Sequence, residues 1–283
     1  MKTPPIALWL WYRGDRFRGF QRQAEGPTVQ EAIEGALSEA GLEASPAPSG
    51  RTDRGVHARM QVVSFRVRGG AAAEEVRGAL EPWLPRGLGI AHAALARPEF
   101  HAQWSAVEKE YRYRLQLCGS AAEEWGPFAW APEQQPRLHA QVAPERLAEL
   151  LRYAEGTRDF IAFHEKSSVR RPRTLMAAEL VELGGGLFEA RLRGDGFARY
   201  QVRYLVGSAV ATAGGKLSEE QWRAALDRGE AIPGFKAPAE GLVLWEVRYP
   251  SGVDPFPGEL REAAPGVPGE PPFAFRRTVP AGA

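Results

Sequence analysis

Between Glu110 and Cys118, Tyr111, Tyr113, Leu115 and Leu117 alternate with Arg112, Arg114 and Gln116. A period of two sends successive side chains to opposite faces, so the stretch reads as a strand whose apolar face must be covered. Candidates for the cover are legible too. Thr28 and Glu31 have capping-box spacing, Val29, Ile33, Ala36, Leu37 and Ala40 line one face of the helix they open, and Gly41 stops it. A second helix runs from Pro144 to Glu155, with Leu147, Leu150, Leu151 and Ala154 as its stripe and Gly156 as its stop. Half-apolar strands with amphipathic helices are the ingredients of an α+β fold.

The remaining pattern repeats these ingredients. Strands are predicted at Ile6–Tyr12, Gln61–Arg68 and Leu88–Leu95, and a helix at Ala73–Leu80. Later come two strands joined by GGG at 184–186, a helix over 200–213, a short helix opened by Ser218 with Gln221, and a last strand, Leu242–Tyr249. Both halves therefore approximate strand–helix–strand–strand–helix–strand. The expectation is two similar ferredoxin- or RRM-like halves, residues 1–105 and 106–250, with mainly antiparallel sheets flanking a central basic cleft. Residues 251–283 hold seven prolines and five glycines and read as a tail.

Composition narrows the class. The single cysteine, Cys118, cannot form an internal disulfide, and the five histidines show no metal-ligand spacing, so the expectation is a cytoplasmic protein without metal or cofactor. The apolar run near the start is too short to span a membrane, and no membrane association is expected. Net charge is only +1, but it is unevenly spread. Residues 13–22, 51–68, 109–114, 166–173 and 191–203 hold 20 basic and 4 acidic side chains, whereas the rest of the chain holds 16 basic and 31 acidic. That contrast suits a polyanionic partner.

Three places could carry chemistry. In SGRTDRGVHA, residues 49–58, Asp53 lies between Arg51 and Arg54 on a loop joining two strands. Gly, Thr and Asp favour turns for backbone reasons alone, so the loop reads first as chain geometry and only then as a site. In DGFARYQVRYLVGSAV, residues 195–210, Arg203 sits at the edge of an apolar stripe and needs a counter-charge. That partner could be Asp195 nearby or Asp53 in the other half. Tyr111 is either core, stacks on a base, or relays a proton. Arg170, Arg171 and Arg173 form either a solvated loop or phosphate contacts.

Taken together, these segments resemble the tRNA pseudouridine synthase A family. GRTDRGVHA at 50–58 is similar to the family signature GRTD-x-GVHA. GFQRQ at 19–23 with TVQEAIEGAL after it, FHAQWSAVEKEYRY at 100–113, RDFIAF at 158–163, F-x₄-VR-x₂-VG at 197–207 and PAEGLVLWEVRYP at 238–250 follow in the expected order. The resemblance implies a homodimeric enzyme, without cofactor or metal, that converts uridines 38, 39 and 40 of the tRNA anticodon arm to pseudouridine. It implies that Asp53 is the catalytic aspartate, that Tyr111 and Arg203 complete the site with Arg203 paired to Asp53, that Arg51 holds the flipped nucleotide, and that Leu244 lines the pocket. Arg13, Arg22, Arg54, Arg170, Arg171 and Arg173 are then the expected RNA contacts.

The chain also departs from that pattern. Tyr12-Arg13-Gly14 stands where the family commonly has Tyr-Asp-Gly, and Ala198 and Tyr204 replace residues expected to be larger and apolar, and polar, respectively. Two other classes fit parts of the sequence. An RNA-binding module would keep the basic surface without the reactive set, and a nucleoside hydrolase would need a second acid near Asp53.

Overall fold

The computed structural model describes residues 3–118, 128–134, 141–165 and 171–274. These fall into two compact units, one drawn from Met1–Lys109 and Val243–Phe273, the other from Glu110–Leu242 and Ala274–Ala283. Among the described residues there are six α-helices and nine strands, an α+β protein.

In the first unit the strand order is β4-β1-β3-β9, where β1 is Ile6–Tyr12, β3 is His57–Phe65, β4 is Leu88–Leu95 and β9 is Leu242–Arg248. The two-residue strand β2, Ala47–Pro48, also pairs with β3. β1 runs antiparallel to both neighbours, with Ile6 opposite Phe65 on one side and Leu95 on the other. Its sequence IALWLWY has no polar member before the tyrosine, as a central strand covered on both faces requires. Helix α1, Val29–Glu39, begins with the expected capping box: the Glu31 amide donates to Thr28 Oγ1 at 3.3 Å and the Thr28 amide to Glu31 Oε2 at 3.1 Å. Helix α2, Ala73–Leu80, buries Val76 and Leu80.

Residues 250–273 are packed into this unit, although their proline and glycine content reads as a tail. They include helix α6, Gly258–Ala263. Phe256 meets Trp9 edge-on at 6.0 Å and Phe273 meets Trp11 at 5.9 Å. Arg261 is the main tie: its Nη2 donates to Asp254 Oδ2 at 2.6 Å, and its Nη1 to Glu246 Oε1 at 3.0 Å and the Val247 carbonyl at 2.7 Å. Strand β9, read in sequence as the close of the second half, pairs in parallel with β3, His57 facing Val243 and Ala58 facing Leu244. It is a parallel pair in a fold expected to be mainly antiparallel.

The second unit has strand order β5-β8-β7-β6, where β5 is Glu108–Gln116, β6 is Gly156–Arg158, β7 is Arg173–Gly184 and β8 is Leu187–Gly194. β7 and β8 form the expected hairpin, and Gly185 and Gly186 at its turn have φ of +63° and +77°. Two successive positive φ values are what a type I′ turn demands, hence glycine at both places. Helix α3, Pro144–Tyr153, buries Leu147, Leu150 and Leu151. Helix α4, Gln201–Ala213, is buried along most of its length, and α5, Glu219–Arg228, starts from the Ser218–Gln221 capping box.

The polar side of β5 differs from its sequence reading. Arg112 and Arg114 are buried rather than part of an open basic surface. Glu189 of β8 receives Arg112 Nη1 at 3.2 Å, Arg114 Nη2 at 3.0 Å and Arg191 Nε at 2.8 Å. Burial pulls the Glu189 carboxyl up, but the three guanidiniums outweigh it and hold the group below the ordinary carboxylate range. Burial pushes the Arg114 guanidinium down to about 10, offset in part by Glu189.

Candidate active site

Asp53 is half-buried on the loop that leads into β3. Both sides of this loop are tied to the strands of the first unit, mostly through neutral groups. Thr52 Oγ1 lies 2.7 Å from the Tyr12 hydroxyl at the end of β1. Gln61 of β3 donates from Nε2 to the Gly50 carbonyl at 2.8 Å and to the Tyr12 hydroxyl at 3.4 Å, while its Oε1 accepts from Ser49 Oγ at 2.6 Å. Lys109 Nζ donates to the Ser49 carbonyl at 2.7 Å. Tyr12, Ser49 and Gln61 are buried, so each hydrogen bond here is protected from exchange with water. Burial pushes the Tyr12 hydroxyl up to about 12, against the smaller pulls of Thr52 and Gln61.

Two glycines let neighbouring backbone close on this loop. A Cβ at Gly19, where φ is +100°, would lie 2.9 Å from the Thr52 carbonyl oxygen, and one at Gly14 would lie 2.3 Å from that of Val56. The Gly14 amide donates to His57 Nδ1 at 2.9 Å, so the first buried residue of β3 also fixes the basic loop after β1. Leu244 is buried opposite Ala58, on the strand beside the one that Asp53 introduces.

Tyr111 and Arg203 belong to the second unit. The Tyr111 ring is buried on β5 and meets Phe197 edge-on at 5.2 Å. Arg203 is half-buried on α4, donates from Nε to the Ala237 carbonyl at 2.8 Å, and places its guanidinium carbon 5.5 Å from the centre of the Tyr200 ring. Asp195, the nearby candidate counter-charge, instead accepts the Thr174 amide at 3.0 Å. Among the described residues of its unit Arg203 has no carboxylate partner, and its Nη groups can meet an anion from outside that unit. A guanidinium fixed at Nε presents that fork in one orientation.

A profile of the tRNA pseudouridine synthase family, PseudoU_synth_1, matches residues 150–250. The chain is 36% identical over 252 residues to a tRNA pseudouridine synthase A of Neisseria meningitidis serogroup C, covering 86% of this chain and 91% of that protein. It is 38% identical over 263 residues to the protein of the same name from Geobacillus kaustophilus, covering 87% and 95%. The chain belongs to the tRNA pseudouridine synthase A family. A solved structure described as an H/ACA RNP bound to a substrate RNA containing 2′-deoxyuridine aligns with 71% of this chain and 44% of that one at 15% identity, with a TM-score of 0.35.

The family's RNA contacts expected here fall in varied settings. Arg51 and Arg54 are exposed beside Asp53, and Arg171 is exposed before β7. Arg13 pairs with Asp15 at 2.8 Å, and Arg22 pairs closely with Glu34. Arg173 is buried, its Nη1 donating to the Arg171 carbonyl at 3.1 Å, and burial together with Arg171 lowers its pKa. Arg170 lies outside the described residues. Where the family commonly has Asp after Tyr12, Arg13 instead holds Asp15, so a carboxylate remains in this loop two positions on. Among the described residues no group of three or more His, Cys, Asp and Glu side chains is placed to hold a metal ion, and no helix is long and apolar enough to cross a membrane.

The sequence reading passed over Tyr12, Ser49 and Gln61. One signal was available. Gln61 is a lone amide before the apolar pair Val62 and Val63 in a strand expected to be buried, and a buried amide needs partners.

Proposed function

We propose that this chain isomerises uridines 38, 39 and 40 in the anticodon arm of tRNA, with Asp53 as the catalytic carboxylate. As a member of its family it is a tRNA pseudouridine synthase, an isomerase acting on tRNA. What carries the finer reading is the Asp53 loop. The signature GRTDRGVHA is intact, and Thr52, Gln61 and Ser49 tie the loop to β1 and β3 around a half-buried carboxylate.

The reaction breaks the N1–C1′ bond, turns the base, and forms C5–C1′; the proton on C5 leaves and N1 gains one. An ionised Asp53 can stabilise or trap positive charge at C1′, remove a proton from C2′ to give a glycal, or add to C6 of the base. Tyr111 is the proposed acceptor of the C5 proton, directly or through water. Arg203, whose Nη groups face no carboxylate among the described residues of its own unit, is the proposed partner that keeps Asp53 ionised and oriented. The target nucleotide must leave its stack to be reached, with Arg51 holding it in the flipped position and Leu244 lining the pocket. The exposed arginines, Arg54 and Arg171 among them, grip phosphates. We take the two units to be ferredoxin-like repeats, and the enzyme to act as a cytoplasmic homodimer without metal or cofactor.

Pseudouridine mapping on tRNA incubated with the purified protein tests this directly. Modification at 38, 39 and 40 is expected; modification confined to another arm would overturn the site assignment. Light scattering should give twice the chain mass.

A further inference from the structure

We propose that Lys236, seated on the Tyr200 ring beside Arg203, forms a binding site for a phosphate group of the RNA backbone, a reading that rests on tRNA as the substrate. The site begins at a glycine. A Cβ at Gly207 would lie 2.0 Å from the Phe235 carbonyl oxygen and 2.7 Å from the Ala237 amide, so only glycine lets residues 235–237 lie directly on α4. The segment is fixed there by two hydrogen bonds with one residue, the Ala237 amide to the Arg203 carbonyl at 3.1 Å and Arg203 Nε to the Ala237 carbonyl at 2.8 Å.

That seating brings Lys236 Nζ to 4.2 Å from the centre of the Tyr200 ring and 5.8 Å from that of Tyr204. The Tyr200 ring also has Arg203 at 5.5 Å and Arg199 at 4.8 Å. Tyr200 has φ of +64°, a conformation that a bulky residue keeps only when its surroundings enforce it. Three cations thus gather at one strained aromatic residue. Arg199 is balanced by Glu165 at 3.0 Å. Lys236 and Arg203 have no carboxylate partner among the described residues of their unit. An aromatic ring attracts a cation but does not neutralise it; with Asp53 the proposed anion for Arg203, Lys236 is the charge left for an anion from outside.

Phosphate fits better than a base. The ring that could stack on a nucleobase is already occupied by cations, whereas an ammonium with three donors and a guanidinium fork suit a multi-oxygen anion. Lys236 is one of five lysines in a chain with 31 arginines, and its compact charge can contact a single phosphate without the planar geometry arginine requires. Arg203 is also the proposed partner of Asp53, so Lys236 is the residue that isolates this site.

The test is a fluorescence-anisotropy titration of tRNA with the full chain over a range of salt concentrations. Lys236→Gln should weaken binding about 3- to 10-fold and lower the slope of log Kd against log salt by about 0.7 to 1, the share of one phosphate contact. Lys236→Arg should restore most of both. Lys216→Gln, which removes the same charge beyond the C-terminal end of α4, should keep the wild-type slope. An unchanged slope in Lys236→Gln, or an equal loss in Lys216→Gln, overturns the site. So does a Lys236→Gln protein that keeps its tRNA slope but changes oligomeric mass, which would make the cluster a protein contact. If Lys236→Gln proves unstable, Lys236→Met keeps the aliphatic stem and carries the same expectation. Pseudouridine formation is scored separately. A wild-type protein with a Lys236-dependent slope and no product sinks the enzymatic reading and keeps the site, whereas product formation without Lys236 dependence sinks the site alone.

Discussion

The groups of β1 and β3 that hold the Asp53 loop are neutral: Tyr12, Thr52, Gln61 and Ser49 form its hydrogen bonds at buried positions, and Lys109 adds one ammonium at the Ser49 carbonyl. In the second unit β5 and β8 are joined by full charges, with Glu189 receiving three arginines. Arg203 is held differently again, by a carbonyl and an aromatic ring that leave its charge uncompensated within its unit. The contrast is chemically sensible. Neutral groups can fix the loop of a reactive carboxylate without taking up its charge, and a cation that must meet an anion is best placed by groups that carry no negative charge. Glu189 and its arginines have the opposite property. Those charges are paired within the fold, which suits a structural role.

That distinction predicts different failures when each region is broken. Glu189→Gln removes the anion shared by buried Arg112 and Arg114 and half-buried Arg191, with Arg112 keeping its pair with Glu110 at 2.7 Å, and should cost about 3–5 kcal/mol of stability, measured by denaturant unfolding. A loss below the size of an exposed ion pair would mean that the cluster is hydrated and not structural. Breaking the neutral network should act on turnover first. Thr52→Val removes the link to Tyr12 beside Asp53, and kcat should fall about 10- to 100-fold with little change in KM, while Thr52→Ser restores it. Equal activity in the valine and serine variants would detach this hydroxyl from catalysis.

Tyr12→Phe sharpens the same comparison through pH. The Tyr12 hydroxyl is raised from 10.0 to about 12 in the fold, so its neutral form is favoured there. The stability this contributes is fully present below pH 10 and is lost as pH rises from 10 to 12. In Tyr12→Phe the alkaline loss should be smaller, leaving the part due to Tyr113 and Tyr249, which burial also raises well above the ordinary tyrosine range. At neutral pH the variant should be less stable by about 1 kcal/mol, the value of one buried hydrogen bond. An identical pH dependence in both proteins would show that Tyr12 does not titrate with unfolding.

Periodicity made most of the elements legible, because strands and helices with one apolar face announce themselves locally. β1, α2 and β4 have the predicted bounds, and the capping boxes at Thr28 and Ser218 open helices as read. The missed parts depend on distant partners. β2 and β6 are short and acquire meaning only from β3 and β7. Residues 250–273 lack any period because their order comes from Arg261, Phe256 and Phe273 meeting groups far away in sequence. For the same reason the strand pattern of β5 could not show whether Arg112 and Arg114 face solvent or Glu189, 77 and 75 residues away. Asp53 and Arg203 stood out because a lone carboxylate among arginines and a lone arginine on an apolar helix are locally conspicuous, whereas Thr52 and Gln61 look ordinary until Tyr12 is beside them.

The account turns on whether Asp53 performs the isomerisation, and release of tritium from tRNA carrying C5-tritiated uridine reads that step directly, since no binding protein displaces the C5 proton. The wild-type chain should release tritium from the anticodon-arm uridines, and Asp53→Asn should release none while its tRNA affinity stays within about 3-fold, the carboxylate being small beside the phosphate contacts in binding. Tritium release by Asp53→Asn at the wild-type rate would contradict it.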